Sequence, residues 1–129
     1  MRQYVKQLER LWARLAADVG SLTVTEFVSH LIGSQIEFAE GHPAFFALVD
    51  APLTANSTRR RGIIRGRIAR VLLMRKPAMS KSEALRLAAV VQQILKGLLT
   101  LYARADTREK RAILNEFKVV LTGYLTVRL

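Results

Sequence analysis

The sequence predicts an all-α protein of about six helices. Apolar residues recur at three- and four-residue spacing through most of the 129 positions, the period of a helix with one buried face. The three prolines, Pro43, Pro52 and Pro77, each fall at a break between such stretches. No strand-like alternation bounded by Asn-Gly or Asp-Gly turns occurs.

The elements follow in order. Tyr4, Val5, Leu8, Leu11, Trp12 and Leu15 share one face of a first helix over about Arg2 to Asp18, which Gly20 stops. A second helix starts at Thr23. Thr23 and Glu26 have capping-box spacing, and Leu22 and Phe27 the spacing of a hydrophobic staple. Phe27, Leu31, Ile32 and Phe38 form its apolar stripe and Gly41 ends it. His42-Pro43 opens a short helix over Ala44 to Val49, where proline is tolerated in the first turn. After a polar connection over Ala51 to Thr58, a basic helix runs from about Ser57 to Arg75, with Ile64, Ile68, Val71 and Leu72 on one side. Gly62 and Gly66 weaken it by roughly 1 kcal/mol each against alanine. Past Pro77, Ser80 and Glu83 repeat the capping-box spacing and start a long helix to about Arg104. Asp106 and Glu109 start the last one in the same way. Both final helices carry more apolar residues than a helix with one wet side needs. The first of them, Ala84 to Tyr102, is expected to be buried on more than one face and to face a partner as well as the internal core.

Composition narrows the possibilities. The length suits one domain, 1–129, and half the residues are hydrophobic, enough for a core without staples. With no cysteine there is neither a disulfide framework nor a thiolate metal site. The N-terminus is charged and lacks the apolar run of a signal peptide. No window reaches eighteen uninterrupted apolar residues, since Arg86, Gln92 and Gln93 break the best one. A cytoplasmic protein without membrane contact is the expectation. The net charge of +11 is uneven: residues 1–50 hold four Lys/Arg and six Asp/Glu, whereas eight basic and no acidic residues lie between Arg59 and Lys76. Such a run is either a solvated face with snorkelling arginines or an attraction for acidic partners, nucleic acid included. No tight turn of a DNA-reading motif precedes it, and it has no aromatic residue to stack on bases.

Catalytic chemistry finds little support. His30 and His42 are the only histidines, and no HExxH, phosphate-binding glycine loop or Gly-x-Ser-x-Gly elbow occurs. No catalytic residue, metal ligand or cofactor is expected. His30, near the stripe between Phe27 and Leu31, reads either as a hydrogen-bonded core or pocket-edge residue or as a ligand contact. Trp12, Phe27, Phe38, Phe45 and Phe46 read as core or as the wall of an apolar cavity between helices. Gln92 and Gln93 offer such a cavity a polar handle or form a solvated strip.

With the helices placed, the order resembles the C-terminal half of a TetR-family transcriptional regulator. "SHLIGSQIEFAEGHPAFFALVD" resembles that family's second effector-domain helix and the short helix after it. "RRRGIIRGRIARVLLMRKPAMSKSEALRLAAVVQQILKGLLTLYA" resembles the next two helices with their proline-containing link, and "REKRAILNEFKVVLTGYL" the final helix. The resemblance covers nearly the whole chain, through patterns of length and hydrophobicity rather than invariant motifs. It implies a homodimer in which the last two helices of each subunit form a four-helix bundle, and a small, largely apolar effector held inside each subunit. It also implies that DNA is reached only through an N-terminal helix-turn-helix domain, which this chain lacks. The chain is expected to be either an excised effector domain or a standalone relative. The high positive charge departs from what the family requires.

Two sets of site residues follow. Phe27, His30, Phe38, Phe45, Ile64, Ile68 and Gln92 are expected to contact the effector. Leu95, Leu98, Leu99, Tyr102, Phe117, Val120, Leu121, Tyr124 and Leu125 are expected at the dimer interface, where Gly97 and Gly123 permit close helix approach. The alternative to an effector domain is a basic nucleic-acid-binding helical protein or a ligand-free scaffold.

Overall fold

A computed structural model describes residues 22–42 and 55–129 (backbone only at 55–58 and 60), together with Lys6, Arg10 and Ala13, which are helical and exposed. Among these residues there are four helices and no strand: α1 Val24–Gly41, α2 Ala55–Arg75, α3 Lys81–Arg104 and α4 Thr107–Arg128. The expected first helix and the short helix over Ala44 to Val49, with Trp12, Phe45 and Phe46, lie outside the described residues. The basic helix begins at Ala55, two residues before its expected start, and Gly62 and Gly66 do not interrupt it.

The local signals act where the sequence puts them. Thr23 caps α1 in a full capping box: its hydroxyl accepts from the Glu26 amide at 3.1 Å, and the Glu26 carboxylate accepts from the Thr23 amide at 3.2 Å. These bonds hold the Glu26 carboxyl below its ordinary pKa. At α3 the Ser80 hydroxyl accepts from the Glu83 amide at 3.1 Å, and at α4 the Asp106 carboxylate accepts from the Glu109 amide at 2.8 Å. Pro77 stands two residues past the end of α2, as its missing N–H and fixed φ favour.

α3 lies against each of the other helices. It pairs with α2 across the turn at 76–80 and with α4 across the two-residue link at 105–106; α1 packs mainly on α4 and touches α3. The Gln92 amide donates to the Arg61 carbonyl at 3.1 Å, which ties mid-α3 to α2. An Arg75 guanidinium N–H donates to the Leu22 carbonyl, and the Tyr102 hydroxyl to the Glu40 carboxylate, so α1 begins near the end of α2 and finishes near the end of α3. α1 and α3 thus run one way, α2 and α4 the other. The backbones of α1 and α2 make no close approach to each other, so that side of the bundle is not closed by described helices.

One apolar core runs through all four helices, with Val28, Leu31, Ile32, Leu72, Val91, Leu98, Leu121 and Leu125 its largest fully buried side chains. The central position of α3 explains its surplus of apolar residues: eight of them are buried, from Ala84 to Tyr102. α3 has the length and apolarity of a membrane span by composition, yet it is the core helix of this bundle. Leu98→Ala should cost about 2–5 kcal/mol, and Thr23→Ala, on the exposed cap, about 1 kcal/mol. Urea unfolding of the two variants beside the parent chain checks both figures and their order.

Candidate functional site

The residues singled out by the sequence fall in two regions: the faces of α3 and α4, and the buried faces of α1, α2 and α3.

On the outer surface, α3 presents Arg86, Val90, Gln93, Gly97, Leu101 and Arg104 at helical spacing. α4 presents Ala112, Glu116, Val119, Val120, Gly123 and Val127 in the same way. Leu101, Val119, Val120 and Val127 are 52%, 68%, 49% and 80% exposed, and side chains of this kind left in water favour burial against a second surface. The two faces meet where the Phe117 ring lies over Gly97: a methyl group placed on Gly97 would touch that ring at 3.8 Å. Gly97 therefore serves an approach within the chain, while Gly123 faces open space.

The residues expected at the dimer interface differ in their exposure within the chain. Leu95, Leu98, Leu99, Tyr102, Leu121 and Leu125 are buried in the core of their own chain and have almost no surface to offer a partner. Phe117 and Tyr124 are half-buried, and only Val120 of that set is exposed. The exposed large apolar side chains of the two helices are Leu85, Val90, Leu101, Val119, Val120 and Val127.

In the core, Phe27, Phe38 and Ile68 are buried and Ile64 is half-buried. Phe45 is outside the described residues. His30 is exposed on the side of α1 away from Val28 and is not a core residue. His42, which the sequence marked only as a helix break, stands beside the aromatic set. Its ring stacks on Phe38 with centroids 4.5 Å apart, and its Nδ1–H donates to the Phe38 carbonyl at 2.9 Å. The Gln92 amide is already engaged, donating to Arg61 and accepting from the Arg65 Nε–H at 3.4 Å; it is a link between α2 and α3. Gln35 escaped the sequence reading altogether. It is 6% exposed, the one buried polar side chain among the described residues, and its amide has no hydrogen-bond partner there. Its spacing from Val28, Leu31, Ile32 and Ala39 on the buried face was the available signal.

The basic run is partly structural. Arg65 and Arg75 are half-buried and bonded as above, and the Lys76 ammonium donates to the Arg128 carbonyl at 3.1 Å. Arg59 and Arg70 remain on the exposed face. No group of three or more His, Asp or Glu side chains is gathered to hold a metal ion among the described residues.

The buried titratable group is Tyr102. Its hydroxyl donates to Glu40, and the Lys110 ammonium sits 4.9 Å from the ring centroid. The hydrogen bond to Glu40, reinforced by burial and by repulsion between the two anions, pushes the Tyr102 pKa up to about 12.

The described residues form an all-helical bundle around one central helix, with several exposed apolar side chains on the outer faces of its last two helices. The family model described as "Tetracyclin repressor-like, C-terminal domain" matches residues 23–125, and the chain belongs to that family. That domain is in general the effector-binding and dimerising part of TetR regulators, not an enzyme. No curated protein and no solved structure matches the chain.

The raised Tyr102 pKa fixes the sign of one pH effect. The folded chain keeps a proton that the unfolded chain loses above about pH 10, its ordinary value, so stability is full below pH 10 and falls as pH rises towards 12. Tyr102→Phe should flatten this part of the pH–stability curve, as followed by denaturant midpoints between pH 9 and pH 12.

Proposed function

We propose that this chain is the effector-sensing and homodimerising domain of a TetR-like transcriptional regulator. A small, largely apolar ligand sits inside each subunit, and DNA is reached only through a helix-turn-helix domain that these 129 residues do not contain. Membership of the family across residues 23–125 carries this reading. Two features of the bundle support it. The outer face of α3 and α4 combines exposed Leu101, Val119, Val120 and Val127 with the bare backbone of Gly123. A second copy laid on that face removes these side chains from water, at about 25 cal/mol per Å² of apolar surface, against the entropy lost on association. The second feature is the side between α1 and α2 that no described helix closes; Phe38 of α1 and Ile68 of α2 are buried and apolar, the kind of wall an apolar guest needs.

An effector acts by its difference in affinity for two arrangements of the domain. The segment before α1 is where such a difference is handed on: the chain enters α1 at Leu22, and Arg75 of α2 holds the Leu22 carbonyl. A ligand that moves α2 against α1 thereby moves the entry to α1.

Sedimentation velocity at micromolar concentration should show a dimer, and Val120→Arg, which places a charge on the outer face without touching the core, should shift it to monomer. A parent chain that sediments as a monomer rejects the homodimer. For the effector, a ligand found by thermal shift across a metabolite collection should bind roughly tenfold more weakly to Ile68→Val or Phe38→Leu. Unchanged affinity in both variants, by calorimetry, places the ligand elsewhere.

A further inference from the structure

The geometry points to Gln35 as the hydrogen-bonding anchor of the bound effector, and to an effector whose apolar body ends in an uncharged group able both to donate and to accept. The inference rests on the effector-binding reading above and deepens it. Gln35 lies at the middle of the buried arc of α1, flanked at helical spacing by Leu31, Ile32 and Ala39, all at most 1% exposed. A residue at that position ordinarily carries an alkyl chain. Here it carries an amide with two N–H donors and a carbonyl acceptor, and none of these has a partner among the described residues. A buried polar group left without a partner costs folding free energy, whereas an apolar residue of the same shape does not. A satisfied structural glutamine is also present for contrast: Gln92 spends both ends of its amide on α2. Gln35 has the same chemistry, deeper burial and no hydrogen-bond partner among the described residues.

The complement of a free amide is a group that accepts from its N–H and donates to its carbonyl. A primary amide does both. An ionised head is disfavoured, because the side chains around Gln35 are apolar and the α1 acids, Glu26, Glu37 and Glu40, are all exposed.

The test uses the full chain and two probes of one shape, octanamide and its hydrocarbon isostere 2-methylnonane, each displacing a fluorescent apolar dye. Gln35→Leu removes the amide; Gln35→Met does the same while keeping the unbranched stem, in case leucine packs poorly. In at least one of the two variants, the ligand-free melting temperature should equal or exceed that of the parent. Octanamide should bind roughly tenfold more weakly, and 2-methylnonane should hold its affinity within about twofold. Equal losses for both probes, or no loss for either, overturn the anchor while leaving the effector pocket standing. Melting temperatures lowered by several degrees in both variants also overturn it, because the amide is then satisfied without a ligand. A parent chain that binds neither probe rejects the effector reading, and the anchor with it.

Discussion

Burial of α3 against its three neighbours is the constraint on which the rest of the bundle depends. Ala88, Val91, Leu95 and Leu98 are covered because α2 and α4 flank the helix and α1 closes over it. Each neighbour is held to α3 or to its ends by a few polar contacts: Gln92 to Arg61, Glu40 to Tyr102, and Lys76 to the last turn of α4. These bonds set direction and register. Burial of apolar surface supplies the larger share of the driving force, since a typical hydrogen bond contributes only about 0.5–1.5 kcal/mol net.

A central helix explains two features that look unrelated in the sequence. Its apolar residues extend around more than one face because three helices lie on it, and its remaining side still carries Val90 and Leu101. The same arrangement puts α1 and α2 on opposite flanks without bringing their backbones together. Gln35 and Phe38 of α1 and Ile68 of α2 are buried on the inner sides of their helices.

The basic character follows from where charge can be tolerated. Arg65 and Arg75 lay their stems on α2 and α3 while their guanidinium groups find an amide oxygen and a carbonyl, so part of the positive charge serves the fold. Arg59 and Arg70 lie on the outer side of α2, away from the α3–α4 face. Eight of the seventeen basic residues past position 50 lie between Arg59 and Lys76 and nine lie in α3 and α4, so the positive charge is concentrated in, but not confined to, one helix.

The sequence alone determined the helical class, the ends of α1, α3 and α4, and the family. Helix periodicity, proline placement and the pairs Thr23–Glu26, Ser80–Glu83 and Asp106–Glu109 act within a few residues, so they are legible without knowing what touches what. It also identified α3 as a helix with too many apolar faces. Only the tertiary structure decided how those faces are shared. Whether Leu98 or Leu101 meets a partner depends on which side α1 and α4 take, and residues three apart on one helix then have opposite fates. The same holds for polar groups: the sequence singled out Gln92 and not Gln35, and the Arg61 carbonyl satisfies Gln92 while no described residue bonds the Gln35 amide. Local order is written in nearest neighbours along the chain; allocation of a buried face or a free amide is set by neighbours in space.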